Sequence, residues 1–269
     1  MPSPRLSAPF RLNQMEDILA EFSDQFWLIG AVFLRIGPAF YLAPGFGENY
    51  VSVRIRLAAA LVFAAAISPV LEPHIPAVRP AGAEFLVFML RETATGLFIG
   101  LFGRGMIFLL EQAGTIISQS ISLAQMLGNA TEPIPVIGHF LVTTGIAILY
   151  STSLADQMLY AFAASYTAQL PSPELLASFF ASKITSLVNL VFTQAVVLSS
   201  GFLSLMFVYY LCIGFINKAM PQFMVSFIGI PFVALFSIYF LYLHFDLLLD
   251  VWQEKALSIL MMPFVSANE

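Results

Sequence analysis

85-FLVFMLRETATGLFIGLFGRGMIFLL-110 is apolar along almost its whole length, yet carries Arg91, Glu92 and Arg104 within it. A helix needs ~20 predominantly apolar residues to cross the hydrocarbon of a bilayer, and this stretch is long enough. A charge left in lipid costs on the order of 3 kcal/mol, so these three side chains have to meet protein, water or the membrane border. Glu92, Gly96 and Gly100 recur at a spacing of four and share one helix face, with Gly103 close to it. Gly96 and Gly100 form a GxxxG pair, which lets a second helix backbone approach closely. An acid of this kind beside two glycines predicts a tight helix–helix contact, either within the chain or between subunits.

Five further apolar segments surround this one, at 26–42, 57–71, 140–166, 184–216 and 223–249. The segment 57–71 is short for a span, and 184–216 is long enough for one tilted helix or for two helices meeting near Gly201. Proline and glycine punctuate the pattern: Pro44-Gly45-Phe46-Gly47, then Pro69, Pro73, Pro76 and Pro80, then Pro133 with Pro135, and Pro171 with Pro173. Pro221 and Pro231 bracket the start of the last segment. Proline lacks the N–H and clashes with the preceding helical turn, so these clusters predict connectors. Over 269 residues the chain is 59% hydrophobic and 10% charged, with a mean hydropathy of +0.87. Soluble domains are about 45–50% apolar and roughly 25% charged. The reading is an all-α integral membrane protein of helical hairpins, about six apolar segments in one domain over 1–269. A polar segment, 1–25, precedes them and an amphipathic end, 250–269, follows. The polar start does not read as a signal peptide, because Glu16, Asp17, Glu21 and Asp24 occupy the place of an apolar region.

The charge pattern excludes several functions. Net charge is -5, with no basic block to neutralise nucleic-acid phosphates. Cys212 is the single cysteine and reads as a small buried residue. His74, His139 and His244 lie far apart without an HxxxH or HExxH pattern, so neither a metal nor another cofactor is expected. No phosphate loop, GxSxG or Cys/His nucleophile arrangement occurs, and the chain does not read as an enzyme. Further charges interrupt apolar stretches at Arg35, Glu111, Asp156 and Lys183. These fit subunit pairing or a wet channel wall, or else snorkelling at a membrane border. Asp246, Asp250 and Glu254 form an acidic stripe opposite Leu248 and Leu249, which suits a helix at the water boundary or a docking ridge for a basic partner.

One stretch differs from the rest: 111-EQAGTIISQSISLAQMLGNATEP-133 is too polar for lipid and too apolar for a solvated loop. It reads as helix followed by loop, packed in protein or lining a wet path. Gly114, Ser118 and Ser122 are small, Leu123 and Met126 are apolar, and no charge lies between Glu111 and Glu132. Such a segment can seal a pore by dewetting, so Gly114, Ser118, Ser122, Leu123, Met126 and Pro133 are the expected gate residues if the chain forms a protein-conducting channel, as the resemblance given next implies. An ordinary packed helix and connector is the alternative.

Four blocks resemble the FliR family of type III export proteins. The first is RIGPAFYLAPGFGENYVSVRIRLAAALVFAAAISPV, 35–70, with Arg35, Pro44, Phe46-Gly47, the pair Arg54 and Arg56, and Pro69. The second is Glu92 with Gly96 and Gly100. The third runs from Gly114 to Pro133, although Ser118, Ser120 and Ser122 stand where relatives carry an acid, a Gln and a Gly, and Glu132 replaces the usual Asp. The fourth is GFINKAMPQFMVSFIGIPF, 214–232, with Lys218, Pro221, Gln222, Phe227, Gly229 and Pro231. The resemblance implies a subunit of a helical complex with FliP and FliQ in the bacterial inner membrane, at the flagellar basal body. That complex passes unfolded flagellar subunits, beside FlhA- and FlhB-like components. It assigns Arg35, Arg54, Arg56, Glu92, Gly96, Gly100, Pro221, Gln222, Gly229 and Pro231 to subunit packing. The alternatives are the equivalent subunit of a virulence injectisome and a small secondary transporter.

Overall fold

The structure, a computed structural model, describes residues 8–76, 79–121, 136–167, 173–219 and 225–263. Among them there is no strand. The helices are α1 (Ala8–Leu42), α2 (Val53–Leu71), α3 (Ala83–Ile121), α4 (Val136–Ser151), α5 (Leu154–Thr167), α6 (Pro173–Ala219) and α7 (Val225–Met261), with a 3-10 turn at Glu72–His74 after α2. Five of the described helices are long and apolar enough to cross a membrane, and α4 with α5 make a sixth candidate bent by 74°. The chain is therefore an all-α integral membrane protein.

Local chemistry explains most boundaries. Gly45 adopts φ 80° and Gly82 φ 59°, so the turn after α1 and the entry to α3 both use the left-handed region open to glycine. The Ser52 hydroxyl accepts from Ile55 N at 3.4 Å and caps α2. Two expectations are corrected, at Pro69 and within 140–166. Pro69 does not open the loop after α2 but lies inside that helix. The carbonyl its missing N–H leaves free, Ala65 O, accepts instead from the Ser68 hydroxyl at 3.1 Å. Pro231 lies in the second turn of α7, near the start of the segment as expected. The 140–166 segment is two helices, because Thr152 and Ser153 break it and the Thr152 hydroxyl lies 3.5 Å from Leu154 N. Of the two alternatives for 184–216 the single helix holds, since α6 runs unbroken through Gly201, whose open side is filled by the Phe240 ring.

The chain forms two compact units, Met1–Leu101 and Phe102–Glu269. In the first, α1 buries Ala31, Val32, Ile36 and Ala39, α2 buries Ala60 and Ala64, and α3 contributes Phe98 and Ile99. In the second, α3 is central: Met106, Leu109, Leu110, Ala113 and Ile117 are fully enclosed. Trp252 of α7 is fully buried as well and donates its indole N–H to Met106 O at 2.8 Å. Burial separates α3 from its neighbours, since its apolar window is 67% buried against 17% for α6. The outward faces of α2, α6 and α7 are thus left for lipid or other protein.

Candidate functional site

The first candidate lies within the first unit. Arg35 of α1 donates from Nε to Glu92 Oε2 at 2.7 Å and from Nη2 to Glu92 Oε1 at 2.8 Å. The pair is nearly enclosed, its side chains 6% and 11% exposed. A two-pronged guanidinium–carboxylate contact fixes direction as well as distance. One turn further along α3, Gly96 meets the α1 backbone so closely that a Cβ would lie 2.0 Å from Arg35 O. At Gly100 a Cβ would lie 2.8 Å from Ala39 O and 2.9 Å from Ala39 Cα. The contact left open above is therefore made inside this chain, and Arg35 and Glu92 satisfy each other without a second subunit.

Arg56 and Arg54 part company. Arg56 is buried, stacks 5.3 Å from the Tyr41 ring centroid and donates through Nη2 to Glu48 O. It clasps the turn between α1 and α2, where the Phe40 ring packs on Phe46 at 5.0 Å and Phe63 at 5.2 Å. Arg54, two residues earlier, is exposed and free of that cluster.

The second candidate begins in the second unit. Gly114 packs against Gly138 of α4 so tightly that a Cβ would lie 2.4 Å from Gly138 Cα. Ser118, one turn on, is buried with no hydrogen-bond partner for its hydroxyl among the described residues. α3 ends at Ile121. Ser122, Leu123, Met126 and Pro133 lie outside the described residues, as do Pro221 and Gln222. Gly229 falls in the first turns of α7 with Pro231.

Other charges find local partners. Arg104 lies over Phe108 at 5.3 Å, and Asp156 stands in the first turn of α5, where an acid is favoured by the helix dipole. Lys183 reaches across from α6 to donate to Met262 O at 3.2 Å, at the end of α7. Asp246, Asp250 and Glu254 are exposed while Leu248 and Leu249 are buried, as the stripe predicts. Cys212 is exposed on the chain, not buried. Residue reading missed Trp252; its signal was chemical, since a tryptophan in an apolar helix still needs an acceptor for its N–H. Among the described residues no group of three or more His, Cys, Asp or Glu could hold a metal ion.

The family described as bacterial export proteins, family 1, matches residues 26–259. The chain is 25% identical over 243 residues to the flagellar biosynthetic protein FliR of Caulobacter vibrioides, covering 88% of this chain and 95% of that one. It is 26% identical over 207 residues to the flagellar biosynthetic protein FliR of Bacillus subtilis, covering 74% and 79%. With its matched region running from α1 into α7, the chain belongs to the bacterial export proteins, family 1.

Proposed function

We propose that this protein is a structural, non-catalytic subunit of the flagellar type III export gate in the bacterial inner membrane. It joins FliP- and FliQ-like subunits to form the channel for unfolded flagellar subunits, with FlhA- and FlhB-like components beside it. The observation that carries this reading is the family match across 26–259, with flagellar FliR relatives along most of the chain. The outward apolar faces support it: Phe192, Phe207 and Phe215 of α6 are 57%, 65% and 72% exposed. A tagged chain co-expressed with FliP- and FliQ-like proteins is expected to purify in mild detergent as one complex, with a higher melting temperature than the chain alone. A monodisperse monomer whose melting is unchanged by those partners would overturn the reading.

The gate belongs to the same reading. The segment from Gly114 to Pro133 plugs the pore between substrates, with Ser118, Ser122, Leu123 and Met126 forming a small, uncharged seal. A channel wide enough for protein has to stay closed to ions, and an apolar constriction does so by dewetting. The close Gly114–Gly138 approach anchors the start of this segment. Deleting 118–123 in a complex verified as assembled is expected to raise ion conductance and slow growth on overproduction. An assembled deletion complex that stays ion-tight rules the plug out.

A further inference from the structure

α6 and α7 are longer than a bilayer is thick. At 1.5 Å per residue the 47-residue α6 reaches about 70 Å and the 37-residue α7 about 55 Å, against ~30 Å of hydrocarbon. Which part of this hairpin meets lipid can be read from the register. Two contacts pin the antiparallel helices: the Phe202 ring meets Phe240 edge-on at 4.9 Å, and Lys183 Nζ donates to Met262 O at 3.2 Å. Between these pins Thr193 stands level with Asp250, and Asn189 with Glu254.

At that level the outward faces are mixed, with Val188 and Phe192 exposed on α6 and Leu247 on α7 beside polar and charged neighbours. Ser182, Ser186, Asn189 and Thr193 are exposed on α6, and Asp246, Asp250 and Glu254 on α7. Towards 220–224 the character changes. The change in charge lies on α7: no charged residue occurs at 225–245, whereas α6 carries none from 184 to 217, and the facing arms 197–217 and 225–245 each extend about 30 Å. Phe207, Val208, Leu235, Ile238 and Leu243 point outward there. The Ser200 hydroxyl turns back to Val197 O at 2.7 Å, so this polar group in the arm is already bonded. Sliding the hairpin about ten residues the other way would place three carboxylates in lipid, where charge is strongly disfavoured.

We propose that bilayer hydrocarbon covers the 197–217 and 225–245 arms of this hairpin, and that the arms bearing Asn189, Thr193, Asp250 and Glu254 stand outside it. This rests on the membrane character of the fold and not on the export reading. The test uses nitroxide labels on the full-length protein, purified with its co-expressed partners and placed in phosphatidylethanolamine–phosphatidylglycerol vesicles. Labels go at native Cys212 and, in a Cys212→Ser background, at Phe207→Cys, Leu243→Cys, Asn189→Cys and Thr193→Cys. Oxygen collisions are expected to exceed those with a water-soluble nickel chelate several-fold at 207, 212 and 243, and the order to reverse at 189 and 193. Nickel access at 207 or 243 equal to that at 189 overturns the proposal. So does oxygen dominance at 189, and so does exclusion of both reagents at 207 and 243, which would mean that protein covers the arm. Failure of the partners to co-purify bears on the export reading alone and leaves these accessibilities interpretable.

Discussion

Gly96→Leu is expected to abolish assembly of the proposed export complex and swimming on soft agar. The reason is geometric. A Cβ at Gly96 would sit 2.0 Å from Arg35 O, a backbone atom that no side-chain rotation can move. Adding methylenes to a packed core typically costs about 1–3 kcal/mol, because neighbouring side chains shift to make room. Here α1 and α3 have to separate, which also pulls apart the Arg35–Glu92 pair one turn away. Gly100→Leu meets Ala39 O at 2.8 Å and is expected to do the same to a lesser degree. Gly30→Ala in α1 is the control, since nothing lies within 4 Å of a Cβ there. It removes a helix-weakening glycine and should leave complex yield on gel filtration unchanged. Wild-type assembly and motility in Gly96→Leu would show that this close approach is not made in the working protein.

The glycine contact was legible in the sequence because periodicity alone puts Glu92, Gly96 and Gly100 on one face. Its partner was not. Arg35 lies 57 residues from Glu92, and pairing at that distance depends on how α1 crosses α3, which no local pattern encodes. The proline breaks were legible only in part. Pro69 obeys the local rule in sequence and escapes it in the structure because Ser68 supplies a donor to Ala65 O. The break within 140–166 had a signal, the hydroxyl run Ser151-Thr152-Ser153, but such residues are also tolerated inside apolar helices. Arg54 and Arg56 read as a pair, yet only Arg56 faces the α1–α2 turn, since residues two apart on a helix point in different directions. For the gate we propose, the sequence carries a run without charge from Gly114 to Ala130, and the fold adds the close approach of Gly114 to Gly138. Cys212 was misplaced because apolar surroundings in sequence predict burial in a soluble protein, whereas a membrane helix turns apolar residues outward.

Glu92→Leu is expected to lower protein level and melting temperature sharply, and Arg35→Met/Glu92→Leu to restore most of both. The buried pair consists of two charges that cancel at 2.7 Å. Removing the carboxylate leaves a guanidinium enclosed between α1 and α3 without its counter-charge. Breaking a buried pair in this way costs about 3–5 kcal/mol, whereas replacing both partners by apolar groups of similar volume is often neutral or stabilising. That asymmetry separates two roles for Arg35 and Glu92. If they serve only the α1–α3 contact, the double variant regains stability, complex yield and motility together, because Met and Leu refill the space without a charge to satisfy. If either residue also contacts a partner subunit or a passing substrate, stability returns while yield or motility does not. The contact geometry favours the first outcome, since both carboxylate oxygens are engaged by Arg35 and Gly96 closes the backbone beside them. The measurement is a thermal melt of the detergent-solubilised complex, paired with soft-agar swimming, for the two single variants and the double. A double variant no more stable than Glu92→Leu alone would show that the pair's worth lies in its charges and not in cancelling them.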